Sequence, residues 1–175
     1  MSSLSQGLEA GIRVLKTAVQ SIESNIIRSR KETVDKKTVS VASRLVELLE
    51  KTMRLLDVLS RRIQHVEDGL VTISNYTYIF RTSKEVVLVR TRPEHVVLSL
   101  DLESNAVSLK TRDATLSVSP NSLTISIRSK LVKISPLSEE QFTSKRDELR
   151  MALKTIEKAV YRRLLPLIEQ KLQKV

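Results

Sequence analysis

The chain has 175 residues, the length of one domain or of two small subdomains, and 41% of them are hydrophobic, which is enough to form a core. It contains 30 basic and 20 acidic residues, so its formal net charge is +10. With no cysteine, three glycines and two histidines, the composition excludes a disulfide scaffold, a thiol enzyme, a cysteine-ligated metal site and a glycine-rich phosphate loop. The absence of cysteine together with abundant charged and aliphatic residues is typical of thermophile proteins.

The sequence shows no targeting or membrane signal. Its first residues lack the basic segment followed by an apolar run that marks a signal peptide. No stretch approaches the roughly 18 apolar residues that span a bilayer. We therefore expect a cytoplasmic protein with no membrane insertion. The positive charge is distributed along the whole chain, which is less typical of a dedicated nucleic-acid-binding protein than a single basic tail or stripe.

Residues 4–68 have the periodicity of amphipathic helices, because apolar residues recur at alternating steps of three and four. The pattern is regular enough to predict that each helix has an apolar seam, a stripe of apolar side chains that packs against another helix as in a coiled coil. It slips by one residue between Ile26 and Val34, and residues 28–37 are all polar except Val34. Two alternatives follow: one continuous coiled-coil helix, or a helical hairpin that bends near residues 30–36. The hairpin is favoured, because it gives three helices of similar length that can cover each other's seams.

After Gly69 the periodicity changes to two, which predicts β-strands with one buried and one solvated face. The connections between strands are short, so consecutive strands are expected to be antiparallel neighbours in a meander of six or seven strands. The candidate strands are 71–80, 85–92, 96–102, 106–110, 115–119, 123–128 and 131–135.

A long C-terminal helix begins at a strong local signal. Ser138 and Gln141 have the spacing of a capping box, and Leu137 and Phe142 that of a hydrophobic staple. Pro166 should kink this helix or begin a short final one, because it lacks a backbone N–H.

The predicted fold is therefore α+β, in the order long helices, antiparallel β-meander, long C-terminal helix. We expect residues 1–70 and 138–175 to form a helical bundle or coiled-coil part. Residues 71–137 then form a β-meander subdomain inserted between the helices.

The residue types needed for catalysis or metal binding are poorly represented. His65 and His95 have no acidic or histidine partner at ligand spacing, and the sequence has no nucleophile motif. The acidic pair Glu139–Glu140 is explained by its place in the first turn of a helix, where negative charge is favoured. The sequence therefore predicts no catalytic residue, no metal site and no cofactor, and we do not expect an enzyme.

One candidate binding segment is rich in aromatic residues. Tyr76, Tyr78 and Phe80 have the spacing of one strand face, and Arg81 and Lys84 follow them. They could form a stacking platform for single-stranded nucleic acid flanked by cations. The alternative, which is favoured because the chain has so few aromatic residues, is that they anchor the sheet against the helices.

A second candidate segment is the basic stretch at the predicted bend. As a bend in the helices it could bind phosphate, whereas as a solvated connector, the favoured alternative, it needs no function. Its basic residues are Arg28, Arg30, Lys31, Lys36 and Lys37.

Three functional hypotheses remain open. The first is a non-enzymatic interaction or assembly protein that associates with itself or with another protein through its helix seams and presents the β-subdomain to a partner. The second is a nucleic-acid-binding protein that uses dispersed Lys and Arg and the aromatic strand. The third is a carrier of a small ligand or lipid, held between the sheet and the C-terminal helix.

Overall fold

The structure, a computed structural model, describes residues 3–28, 35–62, 69–74, 76–92, 95–128 and 130–164. His65, the predicted helix end near Asp68 and the predicted kink at Pro166 lie outside these residues.

The N-terminal helices form a hairpin, as the interrupted seam predicted. Helix α1 (Ser3–Ile22) ends in one turn of π-helix (Glu23–Ile27), and α2 (Lys36–Arg62) packs against α1. Asp35 begins α2: its Oδ1 accepts a hydrogen bond from the Lys37 backbone N–H at 3.0 Å.

Within the described residues, the central part of the chain forms one antiparallel sheet of eight strands in chain order. The strands are β1 (Gly69–Ser74), β2 (Thr77–Arg81), β3 (Glu85–Arg90), β4 (Val96–Asp101), β5 (Val107–Lys110), β6 (Ala114–Ser119), β7 (Ser122–Ile127) and β8 (Lys130–Ile134). The predicted meander is confirmed. The segment 71–80, predicted as one strand, is two, because the chain reverses at Tyr76, whose φ is 68°.

The C-terminal helical segment begins where the sequence predicted it. The Ser138 hydroxyl accepts a hydrogen bond from the Gln141 N–H at 3.4 Å, and Leu137 and Phe142 are both buried. The capping box is only half formed, because the Gln141 side chain accepts a hydrogen bond from Lys145 Nζ at 3.0 Å. The helix is interrupted at Lys145, which separates the short α3 (Glu139–Ser144) from α4 (Arg146–Ala159); α4 then continues into a π-helical turn (Val160–Leu164).

Helices and sheet share one hydrophobic core. Helix α1 packs on the middle strands, α4 packs on β6 and β7, and α2 packs against both helices. A Cβ on Gly11 would come within 2.8 Å of Leu100 Cδ1, so this glycine is what lets α1 lie close to β4. The seam residues Leu15, Leu45 and Leu48 are fully buried in the same cluster as the inward-facing side chains of the sheet. Among the described residues, the apolar seams are therefore covered within the chain itself.

Candidate interaction surface on the sheet

The two faces of the sheet have different environments, and β2 shows the difference most directly. Thr77 and Ile79 point to the helix side, where Ile79 is only 2% exposed, whereas Phe80 on the other face is 40% exposed. We call the side opposite α1 and α4 the outer face; no described helix packs on it. Tyr78 and Phe80 lie on the outer face, so they do not anchor the sheet to the helices. The favoured interpretation of these aromatic residues was wrong.

Five side chains form an apolar cluster on the outer face, which we call the aromatic corner: Tyr78, Phe80, Val87, Val89 and Val97. Phe80 is directly opposite Val87, and Tyr78 is opposite Val89. Val89 is in turn opposite Val97, which extends the cluster to β4. Directly opposed side chains on one face touch, so these residues form one continuous patch. The sequence pattern did not predict a role for the three valines, although they alternate with the buried Val86, Leu88 and Val96.

Tyr76 lies beside this cluster in the β1–β2 turn rather than in a strand with Tyr78 and Phe80. Its positive φ is uncommon for a residue with a side chain. Its carbonyl accepts a hydrogen bond from the Thr91 N–H at 2.8 Å. The Arg92 guanidinium lies 5.4 Å from the ring centroid, within the range of a cation–π contact. The end of the corner near Tyr76 is therefore cationic.

The opposite end of the aromatic corner is acidic. Glu85 of β3 is directly opposite Asp101 of β4 on the outer face. On that face Glu85 is the neighbour of Val87 along β3, and Val87 is opposite Phe80. Asp101 accepts hydrogen bonds from the backbone N–H groups of Ser104 and Glu103, which lower the pKa of its carboxyl group. Asp101 therefore stabilises the turn after β4, and together with Glu85 it makes this end of the corner acidic. Like charges directly opposed across two strands destabilise a sheet.

Beyond β4 the outer face changes from apolar to hydroxyl-rich. Ser99, Ser108 and Ser117 stand opposite one another on successive strands, and the hydroxyl oxygens of Ser108 and Ser117 are 2.6 Å apart. Lys110 lies on this face opposite Val97. At the far edge, Leu131 of β8 is exposed. The outer face thus combines an apolar corner with a flat polar region.

The structure does not bring the predicted cations together with the aromatic pair. Arg81 points to the helix side of β2, opposite in direction to Phe80. Lys84 is exposed in the β2–β3 turn, where its backbone N–H donates to the Thr82 hydroxyl at 3.2 Å. The cations nearest the corner are instead Arg92 and Lys110.

The basic stretch at the bend is separate from this surface. Arg28 forms an ion pair with Glu23 at 3.2 Å, and Lys36 and Lys37 are exposed at the start of α2. Arg30 and Lys31 lie outside the described residues. Asp35, in the same stretch, forms an ion pair with Arg146 of α4, so this end of the hairpin is fixed to the C-terminal helix. The hydrogen bond from Lys37 N–H is the main cause of a lowered pKa at Asp35.

The part of the chain that the structure describes contains no group of three or more histidine, aspartate or glutamate side chains placed to hold a metal ion. Burial raises the pKa of Tyr161, whose hydroxyl lacks a hydrogen-bond partner among the described residues.

None of the described helices has the length and apolar character needed to cross a bilayer. The outer face has an apolar area that is bordered by charged residues, and such an area can serve as a binding surface.

No protein-family model, curated protein or solved structure matches this chain.

Proposed function

We propose that the protein is a non-enzymatic assembly protein that pairs with a second copy of itself through the outer face of its sheet. The observation that carries this proposal is the exposure of Phe80, 40%, within an apolar cluster. Aromatic side chains in contiguous exposed apolar patches are typical of protein–protein interfaces. Association through helix seams has less support, because the described seam residues of α1, α2 and α4 are buried within the chain.

Charge favours a second copy as the occupant. The aromatic corner has Arg92 and Lys110 at one end and Glu85 and Asp101 at the other. When two copies meet face to face with opposite strand directions, the cationic end of each lies over the acidic end of the other. Complementary potentials of this kind orient an interface. The pairing would also relieve the repulsion between the two opposed carboxylates.

The outer face is somewhat smaller than a standard protein interface. Eight strands spaced by about 4.8 Å, each about 17 Å long, give a face on the order of 650 Å². A stable interface buries about 800 Å² per partner. Pairing therefore requires the whole face, with the aromatic corner on β2–β4 as its apolar part and the hydroxyl-rich strands as its polar part.

The alternatives have weaker support. Single-stranded nucleic acid stacks on aromatic residues of sheets whose other face carries helices, which is the arrangement of Tyr78 and Phe80 here. The acidic pair beside these rings, however, would repel phosphate. A lipid carrier needs a cavity between the sheet and α4, but Leu116, Leu153 and Ile156 fill that space.

Light scattering on a size-exclusion column tests the proposal. The wild type should have about twice the chain mass of 19.8 kDa. Phe80→Glu should have the mass of a single chain, because it places a charge in the apolar part of the interface and beside Glu85. Met151→Glu is the matched control, since Met151 is an exposed apolar residue on α4, and this variant should remain dimeric. A monomeric wild type, or equal behaviour of the two variants, would contradict the proposal.

A further inference from the structure

Basic residues occur at every fourth position along α4 and the π-helical turn that follows it: Arg146, Arg150, Lys154, Lys158 and Arg162. Arg146 is paired with Asp35, and the other four are exposed. We call these four residues, Arg150, Lys154, Lys158 and Arg162, the α4 stripe. Residues four apart are neighbours on a helix surface and lie about 6 Å apart along its axis, so the stripe is about 18 Å long.

The charge of the stripe is not neutralised by the fold. The acidic residues of α4 pair with residues outside the stripe: Asp147 lies 3.9 Å from Arg146, Glu148 binds Lys130 at 3.3 Å, and Glu157 binds Arg44 of α2 at 3.1 Å. Among the described residues, no carboxylate forms an ion pair with any of the four stripe residues. Like charges at this spacing destabilise a helix. The stripe therefore costs stability in the free protein.

Besides a groove lined by Lys154, Lys158, Arg162 and Glu157, two shallow grooves beside α4 contain further cations. A groove of about 110 Å³ between α2 and α4 is lined by Lys37, Arg44 and Arg150, among others. On the other side of α4, a groove of about 330 Å³ against the β5–β6 turn is lined by Lys154, Lys158, Arg112 and Asp113. Apart from Asp113, the charged side chains of both grooves are basic.

The chemistry of this surface favours nucleic acid over a membrane or a protein. Leu149, Leu153 and Ile156 are fully buried, so α4 has no apolar face that it could insert into lipid. Met151 is the one large apolar side chain that the described part of α4 exposes, whereas protein interfaces have an apolar centre. Interfaces with nucleic acid are polar and strongly positive, and most of their contacts are made to phosphate.

We propose that the α4 stripe binds the phosphodiester backbone of nucleic acid, without reading its sequence. The stripe lies on the helix side of the molecule and the pairing surface on the outer face, so the two proposals are independent. Binding through four cations should depend on salt with a slope of log K against log[salt] of about −3.6 for duplex DNA and about −2.8 for a single strand.

The test is fluorescence anisotropy with labelled duplex DNA, single-stranded DNA and RNA at several salt concentrations. For duplex DNA, the wild type should lose about 150-fold in affinity between about 50 and 200 mM salt. The double variant Lys154→Gln/Lys158→Gln should lose only about 12-fold, because two contacts are gone. The control Arg13→Gln/Lys16→Gln removes the same charge from exposed positions on α1 and should retain the wild-type slope.

Three results would overturn this proposal. One is an unchanged slope in the α4 variant, and another is an equal loss of slope in the control. The third is binding of the wild type to vesicles of anionic lipid with no binding to any oligonucleotide. The oligomeric state of the α4 variant, measured in the same samples, keeps this test separate from that of the pairing surface.

Discussion

Adjacent residues of β2 should respond very differently to truncation, because they lie on opposite faces of the sheet. Ile79 is 2% exposed within the shared core, so Ile79→Ala removes buried methyl groups and leaves a cavity, at a cost of about 2–5 kcal/mol in the free energy of unfolding. Phe80 is 40% exposed and contacts its outer-face neighbours only. Since full burial of a phenylalanine contributes at most about 3 kcal/mol, Phe80→Ala should cost about 1–1.5 kcal/mol in the single chain.

The assay is urea denaturation, at protein concentrations low enough for light scattering to give the mass of one chain. Dilution matters because association stabilises the folded state and would add to the apparent effect of Phe80→Ala. The two variants should have similar m-values and clearly different midpoints. If Phe80→Ala costs as much as Ile79→Ala, then Phe80 belongs to the core and the assignment of the two faces is wrong.

Three further predictions concern the helices. Leu48→Asp should lose several kcal/mol of unfolding free energy, because it places an unpaired charge in a fully buried seam; an unchanged midpoint in urea would mean that the register of α2 is wrong. Gly11→Val should lower the melting temperature by several degrees, since its Cβ alone would come within 2.8 Å of Leu100 Cδ1; a melting temperature at or above that of the wild type would show that α1 does not lie on β4 in this way. The pKa of Asp35 is lowered by its hydrogen bond from Lys37 N–H, so its contribution to stability is present above its unfolded-state pKa and is lost as the pH falls through its folded-state pKa. Asp35→Asn should therefore flatten the fall in melting temperature on acidification, and a fall as steep as in the wild type would contradict this assignment.

Most of the fold could be predicted from the sequence, because the hydrophobic period distinguishes helix from strand over long segments. The interrupted seam after Ile26 located the hairpin, and the capping residue Ser138 located the start of α3. The reversal at Tyr76 could not be foreseen, because the sequence has no glycine there and a tyrosine seldom adopts a positive φ. The interruption at Lys145 likewise has no proline or glycine to mark it.

The candidate surface was harder to predict. Alternation correctly placed Tyr78 and Phe80 on one face, but Ile79 between them is also apolar, so the local pattern could not decide which face meets the helices. That choice depends on packing across the sheet, where Ile79 aligns with Leu88 and Leu98 of the neighbouring strands. The repeat of a basic residue at every fourth position of α4, by contrast, is visible in the sequence. Charge totals over whole segments average this repeat out.

The most direct test of face-to-face pairing is a distance between two copies. Because the chain has no cysteine, one engineered cysteine carries a single spin label per copy. A label at Ser99→Cys, on the outer face, should lie within about 20 Å of its counterpart, since paired sheets are about 10 Å apart. A label at Met151→Cys, on the helix side, should be about 30 Å or more from its counterpart, because two helical layers of about 10 Å each add to that separation. Absence of coupling at Ser99→Cys, or a short distance at Met151→Cys, would contradict the proposed assembly.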